Sequence, residues 1–297
     1  MELNDMLDQK LTSEEKMRLK RDNGKFKLLR NLGFIPVIIA IFGIYLDSIF
    51  VVFLGVILII AFLVFLTYFG SIKVGVYEKL IIPYVLGTKF EKIELQSLEN
   101  YLKEEYVSSR LDENSNILKC SNSFKITEEK YSIECCKVIS KVENIEEEDG
   151  VKDKVIEEKF SGVFACIKLP VKFNQEFRVI EKEDQNDKNN TELIKMNNIE
   201  FDSSYDVYSM DQISIRNIIS PGTMARVLDI NKKMNKMLKF SIYDNKLYIA
   251  VNYNEFLKFK SNENEYVNEE VANENLEILE QISYFARYMI NGIERNN

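Results

Sequence analysis

The longest uninterrupted pattern in the chain is apolar: residues 32–69 carry one charged side chain, Asp47. A helix needs about 20 apolar residues to cross the hydrocarbon core of a bilayer, so this run is long enough for two passes with Asp47-Ser48 at the tip. The second pass, residues 49–69, is mainly Ile, Val, Leu, Phe and Ala. The first, residues 32–46, is shorter, with Pro36 in its opening turn, where a missing N–H is tolerated. It either spans through local thinning of the bilayer, with Arg30 snorkelling, or re-enters on the same side. The polar residues ahead of the run and the lack of a small-residue cleavage site argue against a cleaved secretory signal. Lys16, Arg18, Lys20, Arg21, Lys25, Lys27 and Arg30 precede the run and Lys73, Lys79, Lys89 and Lys92 follow it, whereas the tip has no basic residue. Positive residues stay inside, which predicts a protein integral to the cytoplasmic membrane with both termini and the main domain cytoplasmic. The Asn189-Asn190-Thr191 sequon then carries no glycan.

Beyond the run the period changes from element to element. Thr12-Ser13-Glu14-Glu15 is a capping box opening a short basic helix that Asp22-Asn23-Gly24 interrupts. Helices are expected over 72–86, kinked or ended by Pro83, and over 95–107, with Tyr84, Leu98, Tyr101, Leu102 and Tyr106 on an apolar face. Strands are expected over 117–126, 130–142, 155–169, 177–181 and 192–196, separated by acidic connectors at 143–150 and 181–190. Residues 160–169 are apolar on both alternating faces, which suits a central strand covered on both sides. Around Asp244-Asn245, residues 238–251 form a hairpin pairing Ile242 with Leu247, Phe240 with Ile249 and Leu238 with Val251. Ser220-Pro221 opens a helix with Met224, Val227, Leu228, Ile230 and Met234 on one face. The last helix repeats Leu276, Leu279, Ile282, Phe285, Ala286, Met289, Ile290 and Ile293, its acids early and Arg287 and Arg295 late, as the helix dipole favours. The fold expected is therefore α+β: a cytoplasmic N-terminal segment (1–31), a two-helix transmembrane hairpin (32–69), juxtamembrane helices (70–110) and a cytoplasmic mixed domain with an antiparallel sheet and C-terminal helices (111–297).

Charge and composition narrow the chemistry. The net charge of −8 opposes binding to a phosphate backbone, so no nucleic-acid partner is expected. The chain has no His, which removes Ser-His-Asp triads, Cys-His pairs and His-containing zinc sites. Cys120, Cys135, Cys136 and Cys166 lack the close C-x₂-C spacing of structural zinc sites and read as free thiols, with the adjacent Cys135-Cys136 marking a β-bulge. No P-loop, dinucleotide-binding turn or nucleophile elbow occurs, so no cofactor, metal site or catalytic residue is assigned. The stretch from Tyr205 to Pro221 is the most motif-like. Asp211 caps a helix over 212–219 and Ser220 caps the next. Asp211, Gln212 and Arg216 are the candidate partner or ligand contacts, with Arg216 either binding an anionic group or pairing with Asp211 or Asp206.

These residues also carry a family resemblance. Tyr205 to Asp211, Gln212, Arg216, Ile218-Ile219-Ser220-Pro221, Met224, Arg226-Val227-Leu228 and the Phe240-Ser241 to Ala250 segment resemble the C-terminal signature of the bacterial membrane family called domain of unknown function 3137. Phe160-Ser161-Gly162-Val163-Phe164 is similar to its F-K-G-L-F strand. Ser214 and Ala225, where the family has Glu, and Asn217, where Tyr is usual, depart from it, which weakens any catalytic role for those acids here. The resemblance implies the hairpin-plus-domain architecture, no established activity, and a LemA-like membrane protein as possible partner in a shared envelope process. The reading that follows is a non-enzymatic, membrane-anchored binding or scaffolding protein touching the lipid bilayer. The competing class is a membrane-tethered enzyme, a hydrolase using paired carboxylates, and a transporter is disfavoured because the spans hold no charge to line a path.

Overall fold

The computed structural model describes residues 3–17, 19, 34–45, 49–112, 115–148, 151–182, 192–259 and 266–296. They form two compact units, Met1–Val85 with Lys260–Val267, and Leu86–Phe259 with Asn268–Asn297.

The first unit begins with helix α1 (Leu3–Lys10), whose Leu7 is buried. Asn4 pins it to the 266–267 segment: its Nδ2 donates to the Val267 carbonyl (3.0 Å) and its Oδ1 accepts from the Tyr266 and Val267 amides. The capping box forms as read, with the Thr12 amide donating to Glu15 Oε2 (2.9 Å) and the Glu15 amide to Thr12 Oγ1 (3.3 Å). Asp22-Asn23-Gly24, Arg30 and the Asp47-Ser48 tip lie outside the described residues.

The apolar run folds as α2 (Phe34–Tyr45) and α3 (Ile49–Leu86). At Gly55 the two backbones come so close that a Cβ would lie 2.7 Å from Ala40 Cα. Here the membrane expectation is corrected: among the described residues no helix is long and apolar enough to cross a membrane. At about 1.5 Å per residue α2 rises only about 18 Å against a hydrocarbon core of about 30 Å. The two-helix transmembrane hairpin and the integral cytoplasmic-membrane location are therefore not supported. The helix expected separately over 72–86 is the continuation of α3, and Pro83 lies so near its end that only a last-turn bond is forgone.

The second unit is α+β, as expected, and centres on an antiparallel sheet. Its elements are β1 (Ile93–Leu95), α4 (Glu99–Ser108), β2 (Ile117–Thr127), β3 (Ser132–Glu148), β4 (Val151–Lys168), β5 (Phe177–Glu181) and β6 (Glu192–Ile194). They continue with α5 (Ile199–Ser204), β7 (Tyr205–Ser209), α6 (Gln212–Ile218), α7 (Pro221–Met234), β8 (Leu238–Tyr243), β9 (Lys246–Asn252) and α8 (Glu269–Asn296). Among the described residues the strand order is β1-β2-β3-β4-β9-β8-β5-β7-β6. The helix expected from residue 95 starts at Glu99, because residues 93–95 pair with β2. The acidic connector expected at 143–150 is largely strand: Glu143 pairs with Ile156 and Glu148 with Val151. Charge on both faces hid that alternation. β2 stops pairing at Lys141 and β9 at Gly162, so residues 142–148 and 151–158 form a two-stranded ribbon beyond the rest of the sheet.

Helices cover both faces. Leu102 and Tyr106 of α4 pack on Phe160, Phe164, Cys166 and Tyr248, while Phe285 of α8 meets Phe240 edge to face at 4.8 Å on the other side. The β8–β9 hairpin has the expected register, and Asp244 and Asn245 both take positive φ (48° and 60°) in the turn. Its second face is buried too, with Ser241 donating to the Ser109 carbonyl at 2.6 Å. Gly162 lies where β4 and β9 approach so tightly that a Cβ would sit 2.0 Å from the Val251 carbonyl oxygen. A bulge is present, but in β2 rather than at Cys135-Cys136: the register shifts between Ser121 and Phe124, with Asn122 at φ 55°.

Candidate functional site

β7 delivers the chain through Met210 to Asp211, which caps α6. One oxygen of Asp211 accepts from the Ile213 and Ser214 amides, both at 3.0 Å, and the other from the Ser214 hydroxyl at 2.6 Å. These bonds, the Ser214 hydroxyl's first, hold its carboxyl below the usual range. Gln212 Nε2 donates to Glu192 Oε2 (2.7 Å), tying α6 to strand β6. Arg216 is exposed and makes no hydrogen bond or ion pair among the described residues. It pairs with neither expected acid: Asp211 is occupied by its cap, and Asp206 is buried with Lys195 Nζ 4.0 Å away. Met210 and Ile213, 72% and 80% exposed, stand beside Arg216 in sequence.

Ser220 caps α7 by accepting from the Thr223 amide (3.3 Å). Next to this cap is a cavity of about 250 Å³ lined by Phe173, Asn217, Ser220, Thr223, Tyr288 and Arg295, among others. Thr223 Oγ1 donates to the Ile218 carbonyl (2.8 Å) and lies 3.5 Å from Tyr288 OH. Arg226 stacks over the rings of Tyr284 and Tyr288 at 5.2 and 5.6 Å. Sequence reasoning missed the contribution of Tyr288 and Arg295, which the fold brings from α8, far along the chain.

It also missed the polar cluster on the α4 side of the sheet. Glu105 is buried; its Oε1 accepts from Lys246 Nζ (2.6 Å) and its Oε2 from Tyr248 OH (2.7 Å), with Cys166 Sγ at 3.9 Å. Burial and the Glu105 charge push the Cys166 thiol up to about 12, so it stays protonated at neutral pH. Burial also raises the Glu134 carboxyl nearby. Burial works against the Lys246 charge, but the Glu105 carboxylate outweighs it and the ammonium stays above its ordinary value. Two carboxyls thus share a neighbourhood, yet both oxygens of Glu105 are already accepting. One signal was available: Glu105 falls between Leu102 and Tyr106 on the inward stripe of α4. Among the described residues no group of three or more Cys, Asp or Glu is arranged to hold a metal ion.

Residues 158–287 match the family model described as "Protein of unknown function (DUF3137)". That segment of the chain is similar to this family. The DUF3137 segment runs from β4 into α8, so Asp211, Gln212, Arg216 and the α7 cap lie inside it and Glu105 outside. Gly162 of the family-like Phe160 to Phe164 strand is required by the close β4–β9 approach. No curated protein matches the chain. Among solved structures it is similar to the mycobacterial trehalose monomycolate transport factor A, TtfA, at 11% identity and a TM-score of 0.42, over 72% of this chain and 94% of that one.

Proposed function

We propose that the chain is a non-enzymatic binding module that takes a protein partner on the corner formed by Met210, Ile213 and Arg216. The observation behind this reading is the division of labour along α6. Asp211 and Gln212 are consumed within the fold, whereas Ile213 and Arg216, three residues apart and hence on one helical face, are exposed together. An apolar group beside an unpaired guanidinium suits a partner that presents an apolar side chain next to a carboxylate. The enzyme alternative has less support, since the best carboxylate candidate, Glu105, is fully engaged by Lys246 and Tyr248. A LemA-like membrane protein is the first partner to examine, as the family resemblance suggests.

A photoreactive residue at position 213 of the full-length chain, in cells that also produce the LemA-like protein, should give a discrete adduct with it. The same residue at exposed Lys232 should not. Arg216→Glu should remove the adduct without lowering the melting temperature, whereas Asp211→Ala should lower melting by removing the cap. No adduct from a folded protein, or an adduct indifferent to Arg216→Glu, would overturn this reading.

A further inference from the structure

We infer that the cavity beside the α7 cap binds a small carboxylate with an apolar body, whose charge Arg295 holds. This goes beyond the partner contact assigned to the α6 corner and rests on different residues. At about 250 Å³ the cavity lies just under the range of about 300–1,000 Å³ that takes drug-sized ligands, so its occupant is a small molecule. Phe173, Met289 and Ile293 give it apolar wall, Thr223 and Tyr288 give it hydroxyls, and Arg295 is the one charged residue among the described residues that line it.

Gly292 shows that the space is kept open. It lines the cavity from inside α8, a 28-residue helix, where glycine is less stable than an ordinary residue. Packing does not require a glycine there: a Cβ at 292 would meet no neighbour within 4 Å, whereas one at Gly55 or Gly162 would collide with backbone. What the missing side chain preserves is the cavity itself.

The polar groups decide the class of ligand. Arg295 is exposed and makes no hydrogen bond or ion pair among the described residues, and its neighbour Glu294 pairs with Lys130 at 3.2 Å. A guanidinium keeps its charge at any physiological pH, and its fork of N–H donors matches the two oxygens of a carboxylate. The Thr223 hydroxyl gives its proton to the Ile218 carbonyl at 2.8 Å, while the Tyr288 hydroxyl has only Thr223 Oγ1, at 3.5 Å, as a partner among the described residues. Tyr288 therefore has a proton for a ligand oxygen. The α7 amides contribute little, since Ser220 already accepts from the Thr223 amide. One guanidinium and neutral donors balance a single negative charge, which favours a carboxylate over a phosphate dianion, and the apolar wall suits a hydrocarbon body.

The test is equilibrium dialysis of the full-length chain against labelled hexanoate, with hexanol, acetate and inorganic phosphate as competitors. Hexanoate should bind saturably at one site per chain, and none of the three should displace it at equal concentration. Arg295→Gln should weaken binding about tenfold or more, the loss expected for a hydrogen bond to a charged group. Gly292→Leu should block binding by filling the space, with a melting temperature unchanged or raised. No saturable binding by the folded chain, displacement by any of the three competitors, or binding by either variant as tight as the parent's overturns the inference. Because position 295 is exposed, Arg295→Gln decides the matter even if Gly292→Leu fails to fold.

Discussion

Glu105 shows what a single residue does in this fold. It crosses from α4 to the sheet and is held by a lysine and a tyrosine from β9, some 140 positions away in sequence. Removing one member of a buried charge pair leaves the other uncompensated, at a cost of about 3–5 kcal/mol, and the quarter-exposed Lys246 side chain puts this case at the lower end. Glu105→Ala should therefore lower the unfolding free energy by about 3 kcal/mol in urea denaturation. Glu105→Leu combined with Lys246→Met should lose less than Glu105→Ala alone, since the double change leaves no stranded charge. Residues acting on near neighbours in the chain were legible: Thr12, Asp211 and Ser220 cap as their residue types demand. Lys137 was not. It sits buried within β3, its ammonium donating to the Asn254 and Phe256 carbonyls, a destination that only tertiary folding creates.

At the scale of elements, agreement between turn and periodicity decided what was readable. The β8–β9 register followed from Asp244-Asn245 and the alternating apolar residues, because a one-residue slip would turn every buried side chain outward. The ribbon extension of β3 and β4 was hidden because it has no apolar face for a pattern to show. α3 was read as two helices because hydropathy changes near residue 70 while helix geometry does not. The turn also carries more than its conformation. Asn245 Oδ1 accepts from the Phe173 amide at 2.7 Å, whereas Asp244 supplies mainly its positive φ. Asp244→Gly should change stability by no more than about 0.5 kcal/mol. Asn245→Gly, equally suited to the turn, should cost about 1–2 kcal/mol by stranding the Phe173 N–H. Thermal denaturation of the two variants side by side separates conformational preference from hydrogen bonding.

For the molecule as a whole, the second unit depends on α8 being held against the sheet, and part of that hold is ionic. Glu274 accepts from Lys236 (2.6 Å) and from Tyr253 OH (2.6 Å). Burial favours its neutral form, but these two bonds outweigh burial and keep the carboxyl below its ordinary value. A depressed carboxyl contributes stability above its unfolded value and loses it as pH falls through the folded one. Stability should therefore hold from neutral pH to about 5 and decline below about 4.3, the ordinary Glu value. Glu274→Gln should show a shallower decline in urea midpoints measured across that range. The division into two units, unlike the α+β content of the second, was not legible, because it joins residues 260–267 to the N-terminal helices across most of the chain.

The ribbon of residues 142–148 and 151–158 bears on whether another chain could add to the sheet. The two outermost strands, β1 and β6, are three residues each, too short to template much pairing. Among the described residues the strands of the ribbon pair with no third strand, although Asn116 holds both backbone groups of Glu143. The ribbon is laced with charge: Lys154 pairs with Glu143 at 2.6 Å, Lys159 with Glu157 at 2.7 Å and Lys141 with Glu158 at 3.6 Å. A second chain adding here would have to strip water from those ions to gain a few backbone bonds, and desolvating them costs more than such bonds return. This flank of the sheet is in this way guarded against stacking into fibrils, by the same charges that made it look like a loop.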